Sequence, residues 1–349
     1  MNLTNRQKAI IVGLLVGGRG KIQCAFADKA YYFANGIGEY LPDLYFDAWL
    51  GQELAGVQWD AKEVQGWLAE AWYQFYAQID SNDAKSLRAD DEPMPPTEWI
   101  NKMSPLALAV AYKCSAIKPN QMVVEQFGDE YYATILVDSI KTKWGITLQN
   151  NDGVITPASE DDMINWWLLL RKHLFVFAPN LIPPLEAKYR RNGKQIYLSG
   201  PQQFAKDGGL GWRVKVSPEL FKAGFHPYSP PYEEGKASDL FGVNFKQLKE
   251  EEFERFCELG SHFVTKDRSA VLESDIILAY YDPRILSAGT ISEITWTHDF
   301  NKEVFLVIPD DVKMQDIPLW ILGSVRNPHR IYNCFEKATK DIIGIFGER

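Results

Sequence analysis

Beyond residue 194 the chain alternates between short, almost wholly apolar runs and longer helix-like ones, and that alternation restricts its fold more than any other feature. Apolar runs stand at 195–199 (QIYLS), 275–281 (DIILAYY) and 303–308 (EVFLVI). Each is about as long as a strand, too short for a buried helix, and apolar on both faces. Helical patterns are predicted over 245–259, 290–300 and 332–346. Strands alternating with helices build a parallel sheet covered on both sides, and ligands of such sheets sit beyond the carboxyl ends of the strands. The second half is therefore expected to be an α/β domain of the Rossmann-like kind.

The first half has another texture. Helix-like patterns dominate, separated by turns rich in Pro, Asp and Asn. Between the halves lies 181–194 (LIPPLEAKYRRNGK), where two prolines precede a basic stretch that ends in the turn signal Asn192-Gly193. A chain of 349 residues favours two domains. We place them at 1–190 and 191–349.

Charge and composition remove several function classes. The net charge is -9, and it is shared by both halves. Neither half is a basic domain held on nucleic acid by bulk charge. The 4 cysteines, Cys24, Cys114, Cys257 and Cys334, form no CxxC pair, and the 5 histidines are dispersed. No metal and no cofactor is expected, and a reducing compartment is the default. The opening residues carry no signal-peptide pattern. The apolar run at 8–16 is too short to span a bilayer, and Arg171, Lys172 and His173 interrupt the run at 166–182. These features predict a cytoplasmic protein without membrane association.

The stretch 275–294 (DIILAYYDPRILSAGTISEI) carries the most chemistry. A strand is expected to end near Tyr281. A loop through Ser287, Gly289 and Thr290 follows, and a helix begins with Glu293 in its first turn. Free N–H groups and the helix dipole favour a negative charge there, so the carboxylate would stay ionised, as a nucleophile must. Thr290-x-x-Glu293 is equally a capping box, in which the glutamate only secures the helix start. Ser287 and Gly289 are also ordinary turn residues.

Four segments in order, QIYLSGP (195–201), KDRSAVLESD (266–275), SAGTISEI (287–294) and KEVFLV (302–307), resemble the nucleoside 2-deoxyribosyltransferase superfamily. The resemblance covers the chain from Gln195 onward. It implies that Glu293 is a nucleophile toward the anomeric carbon of a nucleoside or its 5′-monophosphate, with transfer of the sugar to another base or to water. It implies that Tyr197 orients that carboxylate and that Asp267 lies on the base side. The alternatives are a core strand tyrosine for Tyr197 and a helix N-cap ahead of 268–273 for Asp267. Ser199, Gly200, Ser287, Gly289 and Thr290 would line the substrate site. Ser287 stands where transferases of the family often carry an aspartate and where monophosphate hydrolases carry a serine that helps hold the phosphate. Arg213, after the glycine-rich 208–211, could add a bidentate phosphate contact, or it could be a surface residue on a mobile loop. The resemblance also implies a homo-oligomer.

In the first half, LTNRQKAIIVGLLVGGRGKIQ (3–23) and SPLALAVAYKCSA (104–116) read as two apolar helices rich in small side chains, which permit close approach. The pair resembles the LAGLIDADG homing-endonuclease family and implies an α+β domain. That family needs an acid at the foot of each helix to hold metal. Here those places fall on Gly18 and on Cys114 and Ser115. The expectation is a degenerate, non-cleaving domain, and the fusion suggests a phage or mobile-element origin. A net charge of -6 over 1–190 does not favour DNA as a partner. The competing function is a DNA-binding protein with an inactive nucleotide-binding second domain.

Overall fold

A computed structural model describes residues 10, 13, 103–115, 122–123, 130–177, 188–189, 193–202, 204–234 and 249–347. The chain divides into two compact units, Met1–Pro183 and Pro184–Arg349. No helix among the described residues is long and apolar enough to cross a membrane.

In the first unit α1 (Pro105–Ser115) is followed by β1 (Met122–Val123), α2 (Glu130–Trp144), β2 (Leu148–Asn151), β3 (Val154–Pro157) and α3 (Glu160–Phe177). The strands form an antiparallel sheet in the order β1-β3-β2. Asp152 and Gly153 both take positive φ between β2 and β3, as a two-residue Asp-Gly hairpin loop requires. Ser159 starts α3 by accepting from the Asp162 amide at 3.1 Å. The stretch 103–112 is buried throughout, so α1 as far as Tyr112 is apolar on every side and lies inside the unit. Tyr112 meets Trp166 of α3 edge-on at 5.8 Å. A Cβ on Gly13 would overlap the Ala107 carbonyl oxygen and Val110 Cβ, so the helical stretch at Gly13 presses directly onto α1. Gly13 and Ala107 meet at that approach. Apart from Ile10 and Gly13, residues 3–23, including Gly18, lie outside the described residues.

In the second unit the elements are β4 (Gln195–Ser199), α4 (Leu210–Lys222), β5 (His226–Tyr228), α5 (Pro230–Glu234), α6 (Phe253–Glu273), β6 (Ile276–Tyr280), α7 (Ala288–Asp299), β7 (Glu303–Val307), α8 (Leu319–Ser324), β8 (Ile331–Tyr332) and α9 (Phe335–Phe346). The sheet is parallel throughout, in the order β5-β4-β6-β7-β8. Counted from β4, that is the 2-1-3-4-5 order of doubly wound folds. The chain runs outward from β4 to β5, then crosses back to β6. The switch between directions therefore falls between β4 and β6, the place where folds of this order take their ligands, at the carboxyl edge.

Alternate residues of the strands feed two cores. Tyr197, Ile277, Ala279, Val304 and Leu306 pack under α6, α7 and α8 through Ala270, Val271, Ile294 and Ile321. Ile196, Leu198, Ile276, Leu278 and Phe305 pack under α4 and α9 through Val216, Leu220, Ala338 and Ile342. The continuous apolar runs are thus buried on both faces, as a parallel sheet demands. Two sequence expectations need correction. The helix expected over 245–259 instead extends to Glu273. The segment from Leu210 is a helix and not a loop.

Candidate active site

Tyr197 and Ser199 are two apart on β4 and therefore point to the same face of the sheet. α7 covers that face. Its buried residues are Thr290, Glu293, Ile294 and Thr297, a helical stripe turned toward the strands. Glu293, a residue only 4% exposed, interrupts this stripe with a carboxylate. The Tyr197 hydroxyl donates to Glu293 Oε1 at 2.8 Å, and the Ser199 hydroxyl donates to Oε2 at 2.5 Å. Each carboxylate oxygen thus has its own hydroxyl partner, at the carboxyl end of the strand beside the switch.

This geometry overturns the capping reading of Glu293. Ser287 is the N-cap of α7, and its hydroxyl accepts from the Thr290 amide at 3.3 Å and lies 2.5 Å from Thr290 Oγ1. Helix residues begin at Ala288, which puts Glu293 in the second turn, beyond reach of the N-cap amide. The expected stabilisation by free N–H groups of the first turn is likewise replaced by the two hydroxyls. Burial holds the Tyr197 phenol well above its ordinary pKa, and the Glu293 charge adds to the effect. Tyr197 is therefore neutral and keeps the proton it donates. Its ring stacks on Tyr228 of β5 at 5.4 Å, which fixes the direction of the hydroxyl.

Asp267 is also not an N-cap: it lies well inside α6, six residues before the helix ends. It is partly buried, and its charge acts on both Tyr197 and Arg213.

Arg213 differs from both sequence expectations. It is 0% exposed and sits on α4. Its Nε donates to the Leu198 carbonyl at 3.1 Å, and its terminal nitrogens donate to Gly209 at 2.5 Å and Gly200 at 2.9 Å. A guanidinium enclosed in this way and engaged by backbone carbonyls does not reach out to a phosphate. The Trp212 ring covers it at 4.6 Å. Burial lowers the Arg213 pKa to about 10, with the Glu293 charge opposing the fall, so it remains a cation at neutral pH.

The remaining expected residues have distinct places. A Cβ on Gly200 would lie 3.0 Å from the Trp212 ring, so this glycine lets the strand end approach α4 closely. Gly289 is exposed with open space around it. The loop carrying Ser287 is anchored by Arg284, which pairs with Asp282 at 2.8 Å and with Asp311 at 2.6 Å. Asp207 was not singled out from sequence. It accepts from the Gly209 and Gly211 amides at 2.9 and 2.7 Å and so starts α4. The spacing Asp207-x-Gly209-x-Gly211 before an amphipathic run was its available signal.

No family model matches the chain, and no curated protein matches it. Among solved structures it is similar to a 2-desoxiribosyltransferase from Leishmania mexicana, at 15% identity and a TM-score of 0.32. That match spans 44% of this chain and 98% of the other. It is also similar to a conserved protein from Enterococcus faecalis V583, at 19% identity and a TM-score of 0.24, over 44% of this chain and 88% of the other.

Proposed function

We propose that the second unit cleaves the N-glycosidic bond of a nucleoside or nucleoside 5′-monophosphate, with Glu293 as nucleophile. The observation that supports this best is a buried carboxylate held by two hydroxyls at the carboxyl edge of a parallel sheet, where such folds take their ligands. A structural carboxylate in that stripe would more simply be an apolar residue, because burying a charge is costly.

In the reaction, a Glu293 oxygen attacks the anomeric carbon. The C–N bond breaks, and its electron pair leaves with the base, which takes a proton from the acid form of Asp267 or from water. The sugar is then esterified to Glu293. A nitrogen of a second base, or water, attacks the same carbon, gives up its proton to the Asp267 carboxylate or to water, and frees the Glu293 carboxylate. Tyr197 and Ser199 hold the two oxygens in one plane throughout. Ser287, Gly289 and Thr290, at the start of α7, would face the sugar or its 5′ substituent.

We read the first unit as non-cleaving, since Gly18, Cys114 and Ser115 stand where the resembling endonucleases carry acids. The chain is expected to act in the cytoplasm as a homo-oligomer.

The test is release of free base from each common nucleoside and 5′-monophosphate, read by chromatography, with and without an acceptor base. Wild type should release base and Glu293→Ala should not, and dependence on acceptor separates transfer from hydrolysis. Equal release by the variant, or none from any substrate, would sink the reading.

A further inference from the structure

Arg213 is among the largest fully buried side chains of the described residues, and the reaction steps make no direct use of it. Two of its three carbonyl partners, Leu198 and Gly200, flank Ser199 on either side. The guanidinium therefore fixes the backbone before and after the residue that donates to Glu293 Oε2. The third partner, Gly209, ties the same group to the start of α4. Gly209 has a φ of +74°, and a Cβ there would overlap Pro201 and the guanidinium itself, so the loop is shaped around the arginine. A buried cation without an anion nearby is strongly disfavoured, and the buried carboxylate of Glu293 is the first charge that acts on it.

We propose that Arg213 is a positioning residue for Glu293: it clamps the backbone on both sides of Ser199 so that the hydroxyl stays on Oε2, and it supplies the cation that keeps the carboxylate ionised in the core. The Tyr197 hydroxyl from β4 and the Ser199 hydroxyl face that carboxylate directly, while the charges of Tyr228 from β5 and Asp267 from α6 act on Tyr197, and those of Asp207 from the loop before α4 and Asp267 act on Arg213. Other carboxylates around the cluster disfavour a further negative charge there, and the Arg213 cation opposes that effect. Only the kinetic consequence rests on Glu293 being the nucleophile.

The experiment is a pH titration of the Glu293 carboxyl band in the full chain, by infrared difference against Glu293→Gln. Arg213→Gln should raise the midpoint by about one pH unit or more, the size expected when a nearby opposite charge is removed. Ser199→Ala should raise it by less. In turnover, the acid limb of kcat should move by the same amount, while KM for nucleoside and monophosphate changes equally little. An unmoved midpoint in both variants would overturn the assignment. So would a rise in KM for the monophosphate alone, which would make Arg213 a phosphate ligand. Should Arg213→Gln fail to fold, Arg213→Lys takes its place. An ammonium cannot bridge both carbonyls, so its midpoint should rise at least as far as that of Ser199→Ala, and no rise in either overturns the idea. A chain that releases no base yet shows the shifted band would refute the glycosyl-transfer reading and leave the role of Arg213 standing.

Discussion

Replacing Tyr197 with Phe removes one hydroxyl from the Glu293 carboxylate and leaves the ring in its place. The lost bond is 2.8 Å long, buried, and made to a charged acceptor. Hydrogen bonds to charged groups contribute about 1.5–3 kcal/mol. The ring is 0% exposed and stacks on Tyr228, and Phe preserves both features. The expected loss at neutral pH is therefore about 1.5–3 kcal/mol, with little added from packing. For a unit of this size that lowers the melting temperature by roughly 3–12 °C. The assay is a double-mutant cycle with Glu293→Ala, by denaturant unfolding of the full chain. With the carboxylate gone, the Tyr197 hydroxyl would be buried without its acceptor. Tyr197→Phe should then be neutral or stabilising, which gives a coupling of about 1.5–3 kcal/mol. Additive effects, with a coupling below about 0.5 kcal/mol, would refute the claim that the two side chains form one unit.

Other perturbations follow from the same geometry. Gly208 and Gly209 both have positive φ, but only Gly209 lacks room for a Cβ. Gly208→Ala should cost about 1–2 kcal/mol from backbone strain. Gly209→Ala should cost about 1–3 kcal/mol more from overlap, and thermal melting of the pair checks the order. The hydrogen bonds of Arg284 hold Asp282 below its ordinary pKa of 3.8. Its contribution to stability is therefore complete above that value and is lost as pH falls through the lower folded value. Asp282→Asn should flatten the acid side of the denaturant-midpoint profile and leave its neutral-to-alkaline shape unchanged. Gly13→Val should destabilise the first unit, by about 1–3 kcal/mol or more, because the Ala107 backbone cannot move away. Limited proteolysis of the first unit reads that loss.

The parts of the fold legible in the sequence were those buried on both faces. The runs expected at 195–199, 275–281 and 303–308 correspond to β4, β6 and β7 to within a residue at each end. β5 and β8 have 3 and 2 residues, too few to show a period. α4 was hidden by the glycines before it and by Pro218 inside it. Its buried positions Leu210, Arg213, Val216, Ser217, Leu220 and Phe221 nevertheless make a helical stripe. An arginine in phase with that stripe was the available sign that its charge is buried. The helix expected over 245–259 ends just before Gly260, and α6 runs through that glycine to Glu273. The surrounding turns are largely exposed and tolerate it, and the Thr265 hydroxyl returns to the Ser261 carbonyl at 3.0 Å. Glu293 was visible as a candidate, yet local spacing could not separate a cap from a tertiary carboxylate. Its partners lie 96 and 94 residues away in sequence, and only the crossover from β4 to β6 brings them together.

The central claim is a covalent sugar on Glu293. Intact-mass analysis after exposure to a 2′-fluoroarabinonucleoside tests it most directly, because the fluorine destabilises the cationic transition state and slows turnover of the intermediate. The prediction is one pentosyl adduct per chain, mapped to the peptide containing Glu293 and absent from Glu293→Ala. Base release from natural substrates without any adduct on that peptide, or an adduct that persists in Glu293→Ala, would contradict the account.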